Sequence, residues 1–158
     1  ERVYQLVNQI AGRSGRFSDK GRVVIETLSD QNPLWDHLSK DSDEFFQTEL
    51  AVRGMCECPP YYKLAAIYFT SNHQDKLINY VTALSRTMSG IQYQIKDTIV
   101  LGPKPAPIEK RVNKFTWLYL LKAKDSKSLN RFIESAKNHL GKTNGISVKI
   151  DVDPTGFI

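Results

Sequence analysis

The sequence contains few cysteines. Cys56 and Cys58 are the two cysteines among 158 residues, and a disulfide across so short a loop would be strained. This scarcity is typical of a reduced, cytoplasmic protein rather than of a secreted domain held by disulfides. With no close Cys or His partner, the two thiols also fall short of the four ligands of a structural zinc site. We therefore predict that this stretch of protein holds no metal.

Long hydrophobic runs and a signal-peptide pattern are also missing. No apolar run approaches the roughly 20 residues that a membrane-spanning helix needs. We therefore expect no membrane partner. The first residue is Glu1 instead of methionine, and "VYQLV" (3–7) already resembles the interior of a folded element. On this basis we expect the chain to be part of a longer protein.

Charge is unevenly distributed along the chain. There are 22 Lys and Arg against 17 Asp and Glu, which gives a net charge of +5. Residues 1–25 carry +3, residues 26–49 carry −6, and residues 50–158 carry +8. Basic segments on either side of an acidic one predict a polyanionic partner, with nucleic acid as the leading candidate. A solvated, lysine-rich surface is the alternative.

The first sixty residues predict two helices and a strand. Apolar spacing of three to four favours a helix over residues 1–12, and the β-branched run "GRVVIETL" (21–28) favours a short strand. A second, acidic helix opens at Asn32-Pro33, and the prolines of "CPPYY" (58–62) end it. The predicted domains are therefore residues 1–30, a linking segment over 31–60, and a terminal domain over 61–158.

The terminal domain predicts an α+β sandwich. Its elements follow the order β-α-β-β-α-β, with strands over 63–69, 93–101, 115–123 and 146–153. The first helix begins with a capping box of Ser71 and Gln74 and ends at Gly90. The second runs from Ser126 to Gly141, and a loop rich in Pro and Lys joins the two middle strands. This is the split βαβ, or ferredoxin-like, arrangement, with two helices on one face of a four-stranded sheet.

The stretch "QIAGRSGR" (9–16) places two arginines three residues apart, each after a glycine. The guanidinium group is always charged and presents a rigid fork of donors that matches phosphate oxygens. Such a pair suits the charge that develops on a transferring γ-phosphoryl group. The alternative is a Gly- and Arg-rich loop that only caps a helix.

These residues carry a resemblance. "QIAGRSGR" is similar to the sixth motif of superfamily 2 helicases, Q-x-x-G-R-x-G-R. "PPYYKLA" (59–65), "VLGPKPAPIEKRVNKFTWLYLLKA" (100–123) and "IDVDPTGF" (150–157) resemble the C-terminal part of the PriA, or primosomal protein N′, family of replication-restart helicases. The resemblance covers essentially the whole chain. It implies that residues 1–30 are the last helix and strand of the second helicase lobe, followed by the linking helix and the terminal domain.

The resemblance also implies roles in ATP hydrolysis. Arg16 corresponds to the arginine finger, Arg13 is its companion on the phosphates, and Gln9 helps set the site or couple it to DNA. The phosphate-binding loop and the magnesium-binding motif of the family belong upstream, since "GKTNG" (141–145) follows a helix and lacks the required glycine spacing. ATP, Mg²⁺ and the Zn²⁺ of an upstream cysteine-rich region are therefore expected in the full-length protein only. The fragment alone is expected to be inactive.

A basic segment between the two middle strands predicts DNA binding. It contains Lys104, Lys110, Arg111 and Lys114, and Phe115 and Trp117 follow. Lysines can follow a phosphate backbone while Trp117 stacks on a base. The alternative is that Phe115, Trp117 and Tyr119, at a spacing of two, form the core face of a strand. The family resemblance implies branched or forked DNA as the ligand.

A second basic group lies on the last predicted helix, at Lys127, Arg131 and Lys137. The resemblance implies an interaction with the acidic tail of single-stranded DNA-binding protein and with other primosome proteins. A basic, partly apolar surface would suit such a tail, although a solvated helix face is equally consistent with the pattern.

Two functions follow from these observations. The first is the C-terminal segment of an ATP-dependent 3′-to-5′ DNA helicase that recognises stalled or branched forks and initiates primosome assembly. The second is a stand-alone nucleic-acid-binding or scaffolding α+β module, with "QIAGRSGR" a chance match. The RNA-recognition signature of that fold is missing from the sequence, which argues against the RNA-binding form of the second function.

Overall fold

Five helices and four strands form over the residues that the computed structural model describes, which are 2–14, 22–29, 31, 34–38, 42–111, 113–141 and 145–155. The chain divides into two compact units, Glu1–Met55 and Cys56–Ile158. Each unit has its own packed residues. The division falls within the segment that the sequence predicts to be a linker.

The described residues of the first unit form three helices, α1 (Arg2–Ala11), α2 (Leu34–His37) and α3 (Ser42–Met55). Its packing centre is aromatic, since the rings of Tyr4 and Phe45 stack with centroids 3.9 Å apart and both side chains are buried. The rings of Phe46 and His37 meet Phe45 edge-on. In contrast, the predicted apolar face of α1 is about half exposed at Val3, Leu6 and Ile10.

Two predictions about this unit are wrong. Residues 22–28 are not a strand in the structure. Strand hydrogen bonds need a neighbour, and the four strands of the described residues pair only with one another. The single linking helix is also two separate helices. Asp43 and Glu44 lie in the first turn of α3, where negative charge favours a new helix start.

The second unit is an antiparallel sheet with two helices. Its elements in chain order are β1 (Lys63–Ser71), α4 (Gln74–Gln94), β2 (Thr98–Arg111), β3 (Lys114–Ala123), α5 (Ser126–His139) and β4 (Ser147–Val152). The strand order across the sheet is β2-β3-β1-β4, and every neighbouring pair is antiparallel. The β-α-β-β-α-β order predicted from the sequence is therefore confirmed.

The main core lies between the helices and one face of the sheet. In β1 and β3 alternate residues point to this side, among them Ile67, Phe69, Tyr119 and Leu121. Both helices cover it with side chains at the expected spacing of three to four, which are Leu77, Val81, Leu84, Met88 and Ile91 in α4 and Leu129, Phe132, Ile133 and Ala136 in α5. None of the helices described is long and apolar enough to cross a lipid bilayer.

The boundaries of α4 differ from the prediction. Ser71 and Gln74 do not form a capping box, because the N-cap residue is His73 and the Ser71 Oγ donates instead to the backbone carbonyl of Gly145, at 2.7 Å. The helix also continues past Gly90 to Gln94. A single glycine costs a helix only about 1 kcal/mol, and Met88 and Ile91, on either side of it, are buried.

The predicted loop between the two middle strands is mostly strand. β2 begins at Thr98 and extends to Arg111 in spite of its prolines. It is an edge strand, because β3 is its one partner among the described strands, and its register shifts between Leu101 and Lys104 and again before Lys110. Edge positions and bulges are where strands tolerate proline. Gly102 occupies the first shift with φ +120°, and a Cβ there would lie 2.8 Å from the carbonyl oxygen of Leu118.

Candidate nucleic-acid interface

The face of the sheet opposite α4 and α5, called the second face here, carries a group of lysines. Since side chains alternate along a strand, even-numbered residues of β1 and β3 point to this side. The strand register then places cross-strand partners on the same side. The lysines of the second face are Lys104 on β2, Lys114 and Lys122 on β3, and Lys149 on β4.

The four lysines differ in whether their ammonium groups form a hydrogen bond or an ion pair. The Nζ of Lys122 donates to the carbonyl of Cys56 at 2.7 Å, and the Nζ of Lys149 is 3.4 Å from a carboxylate oxygen of Asp151. Lys104 and Lys114 are exposed and form no ion pair with the described residues. Among the described strand residues of this face, the four lysines are accompanied by one carboxylate, that of Asp151, and an excess of positive charge attracts polyanions.

The centre of the second face is apolar and almost inaccessible to solvent. Tyr68 lies there with Ala66, Ala106, Leu118 and Leu120, and all five side chains are buried. Tyr68 is 4% exposed, and the Nζ of Lys149 is 6.0 Å from the centroid of its ring. A ring this buried cannot stack on a nucleic-acid base. The lysines around this apolar centre can instead form ionic contacts with phosphates, and such contacts do not depend on the base sequence.

The structure places the predicted DNA-binding residues in two groups. Lys104 and Lys114 lie on the second face, on paired strands rather than in a loop. Lys110 and Arg111 belong to β2, but their side chains lie outside the described residues. Trp117 points the other way and packs, partly buried, against the core beneath the helices, with its Nε1 buried. Trp117 therefore belongs to the core face of its strand, as the alternative interpretation predicts, and is not placed to stack on a base.

Sequence reasoning missed Lys122 and Lys149. The signal was present, because "ISVKIDVD" alternates cleanly and an apolar side at Val148 and Ile150 puts Lys149 on the opposite side. Lys122 stands in the same relation to Leu121 and Ala123, which are buried. The polar side of each strand was thus readable from the alternation that identified the core side.

The arginine motif falls at the end of α1. Gln9 lies in the last turn of that helix, and the turn after it begins with a bond from the Gly12 amide to the Asn8 carbonyl, 2.9 Å long. Arg13 follows in this turn, and both Gln9 and Arg13 are exposed. Arg16 lies outside the described residues. The positions of Gln9 and Arg13 leave both side chains accessible to a ligand.

The basic residues of α5 are only partly brought together. Lys127 and Arg131 line an open groove of about 710 Å³ along the helix, together with Asn130, Glu134, Ser135 and Asn138. Lys137 does not line this groove. Its Nζ is instead bonded to the Glu134 carboxylate at 2.8 Å.

The two cysteines are separate thiols. Cys56 is exposed, and Cys58 is half-buried with its Sγ 3.4 Å from the carbonyl oxygen of Cys56. Over the part of the chain that the structure describes, no cluster of three or more His, Cys, Asp or Glu side chains could hold a metal ion.

Comparison with known proteins identifies the family of the chain. Residues 54–155 match the family described as the primosomal protein N C-terminal domain. Curated relatives named replication restart protein PriA are 27% identical in Rickettsia felis, 30% in Haemophilus influenzae and 27% in Bacillus subtilis, and each alignment includes 98–99% of this chain. The chain spans only 19–24% of the length of these relatives. The resemblance noted in the sequence is confirmed, and the chain belongs to the primosomal protein N C-terminal domain family.

Proposed function

We propose that this chain is the C-terminal segment of an ATP-dependent 3′-to-5′ DNA helicase that recognises branched replication forks and initiates primosome assembly. Family membership and relatives named replication restart protein PriA support a role in replication restart. The chain's own part in that role is to bind DNA. The observation that carries this proposal is the group of lysines on the second face of the sheet.

The spacing of Lys104 and Lys114, which form no ion pair with the described residues, suits a phosphate backbone. Lys104 pairs with Leu118, which is four residues from Lys114 on β3. At about 3.4 Å per residue, the two side chains leave the sheet about 14 Å apart along the strand. Two flexible ammonium groups at this distance can contact different phosphates of one strand, and phosphate contacts supply most of the affinity of sequence-independent binding.

The ATP-dependent part of the proposal belongs to the full-length protein. Arg16 is assigned as the arginine finger, with Arg13 beside it on the phosphates and Gln9 setting the site or coupling it to DNA. ATP and Mg²⁺ would be held with upstream residues, and Zn²⁺ in an upstream cysteine-rich region. The exposed positions of Gln9 and Arg13 support this assignment.

The groove on α5 is the proposed contact for the acidic tail of single-stranded DNA-binding protein. Lys127 and Arg131 supply positive charge along the groove, whereas the Lys137 ammonium group is paired with Glu134 and would have to exchange this carboxylate for one of the tail. Ion pairs of this kind mainly set partner choice and association rate. Other primosome proteins are the remaining proposed partners.

A salt titration of forked-DNA binding tests the proposal. Binding of the 158-residue chain to a labelled fork is measured by fluorescence anisotropy at several salt concentrations. The double variant Lys104→Gln/Lys149→Gln should bind more weakly, because each of these lysines neutralises a phosphate and releases its counterion. The slope of log K against log salt should be lower by roughly 0.7–0.9 for each phosphate that is no longer neutralised.

The matched control is Lys96→Gln/Lys124→Gln, which removes the same charge from exposed lysines outside the second face. It should keep a slope close to that of the parent chain. Equal slopes for the two double variants would contradict the second face as the DNA-binding surface, and failure of the parent chain to bind the fork would contradict the proposed function.

A further inference from the structure

A polar pocket of about 340 Å³ lies at one end of the second face, where β1, β3 and β4 meet the turn before β4. It is separate from the groove on α5 and from the apolar centre of the sheet. The residues that line it are Thr70, Ser71, Asn72, Lys114, Gly145, Ile146 and Ser147.

The wall of this pocket is fixed by Ser71. This residue is 3% exposed, its Oγ donates to the carbonyl of Gly145 at 2.7 Å, and the same Oγ accepts from the amide of His73 at 3.1 Å. The first of these bonds joins the end of β1 to the turn before β4, across 74 residues of sequence. Gly145 has φ +84°, a conformation that glycine adopts without strain. The pocket is therefore formed before any ligand arrives.

Three hydroxyl groups form a row across the strands beside the pocket. Thr70 of β1 pairs with Thr116 of β3 on one side and with Ser147 of β4 on the other. The Oγ1 atoms of Thr70 and Thr116 are 3.3 Å apart. Lys114 lies two residues from Thr116 and so points to the same side of the sheet.

The hydrogen-bond donors that line the pocket suit an anion. Lys114 provides an ammonium group, Asn72 an amide, and Thr70 and Ser147 hydroxyls, while no carboxylate is found among the described lining residues. Ammonium, amide and hydroxyl donors are the groups that contact phosphate oxygens in nucleic-acid complexes. No aromatic side chain is present among these lining residues to stack on a base, so the pocket suits a phosphate group rather than a whole nucleotide.

We propose that this pocket holds one phosphate of a nucleic-acid backbone, with Lys114 as the charged contact and Asn72, Thr70 and Ser147 as hydrogen-bond donors. The inference rests on the proposed function, because the backbone reaches the pocket along the lysines of the second face. The pocket would hold one phosphate at a defined position, whereas the flexible lysines alone leave the position of the nucleic-acid strand undefined.

The test compares Lys114→Gln with Lys96→Gln, which removes one exposed lysine elsewhere in the same unit. In the forked-DNA titration, Lys114→Gln should lower the salt slope by roughly 0.7–0.9 more than the control does. In NMR spectra, the amide signals of Asn72, Gly145 and Ser147 should shift when the fork is added to the parent chain. Ser147→Ala, which keeps the lysine, should reduce affinity without changing the slope.

Two results would overturn the inference while leaving the proposed function intact. One is DNA binding with the same slope for Lys114→Gln and Lys96→Gln and no shift of the three amides. The other is a shift of those amides with inorganic phosphate but not with the fork, which would make the pocket a site for a free anion. Failure of the parent chain itself to bind the fork would instead remove the proposed function and this inference with it.

Discussion

Two tyrosines of the sheet show how a single residue responds to the face on which it lies. Tyr119 points to the core beneath the helices, where its Oη donates to the Val81 carbonyl at 2.6 Å and lies 3.0 Å from the Ser85 Oγ. Burial raises the pKa of this phenol, so it stays protonated and remains a donor. Tyr68 lies on the second face, and its Oη is buried with no hydrogen-bonding partner among the described residues.

Removing the two hydroxyls should therefore have opposite consequences. Tyr119→Phe should lower the free energy of unfolding by about 1 kcal/mol or more, because a satisfied buried hydrogen bond is removed. Tyr68→Phe should leave it unchanged or raise it by up to about 1 kcal/mol, because the desolvation cost of an unpaired hydroxyl disappears. Urea denaturation of both variants measures the difference, and an equal loss for the two would mean that the Tyr68 hydroxyl is hydrogen-bonded.

At the scale of the element, α5 shows how one carboxylate starts a helix. Asp125 is the N-cap residue, and its Oδ1 accepts from the Ser128 amide at 2.8 Å while its Oδ2 accepts from the Ser128 Oγ at 3.0 Å. These bonds, the backbone amide first, lower the pKa of Asp125 below its ordinary value of 3.8. A pKa lowered by folding means that the ionised carboxylate stabilises the folded state.

The stabilisation by Asp125 should be complete above the ordinary pKa and should be lost as the pH falls through the lowered one. We expect Asp125→Asn, which keeps the cap, to match the parent chain in stability near neutral pH and to lose less stability on acidification below about pH 4. Asp125→Ala should be less stable at both pH values. Urea melts of the three proteins check this, and the same acid sensitivity in Asp125→Asn would show that other carboxylates control it.

Elements whose apolar residues follow one clear period were predictable from the sequence. Elements that depend on a neighbour far away in the sequence were not. The buried faces of α4 and α5 follow directly from spacing, as does the alternation of β4. The extension of β2 was missed, because prolines exclude a strand unless it lies at the edge of a sheet, and edge position is a property of the assembled sheet. The prediction of a strand over residues 22–28 is wrong for the converse reason. These residues have strand character but no partner strand in the described residues.

The same limit applies to the candidate site. Lys104 and Lys114 were identified from local charge, but their common face depends on strand register. The pocket was not foreseen, because Ser71 was interpreted as a helix cap, a role that local spacing allows. Its partner, Gly145, is 74 residues away, and only the fold shows that the two meet.

At the scale of the whole molecule, the second unit contains a complete core. Its helices and sheet bury one another, and its first residues are bonded to the sheet, since the Lys122 Nζ donates to the Cys56 carbonyl. The unit begins at Cys56, five residues before the boundary predicted from the sequence.

A polypeptide of residues 56–158 should therefore unfold cooperatively on its own. A shorter one that begins at Tyr61 should also fold but melt at a lower temperature, because it lacks the carbonyl group to which Lys122 donates. Circular dichroism and calorimetry measure both transitions. A gradual melt of residues 56–158 with binding of a hydrophobic dye would mean that the first 55 residues complete its core.

The prolines of β2 have a consequence for solubility. An edge strand offers free backbone groups on which strands of other molecules can assemble, and this is a common route to aggregation. Three of the five residues from Pro103 to Pro107 have no N–H to donate, and two register shifts interrupt the regular ladder. The opposite edge, β4, is only 6 residues long and carries Lys149. Both edges of the sheet are thus poor templates for another strand, and the second unit should resist edge-to-edge aggregation at concentrations where a sheet with an uninterrupted edge would aggregate.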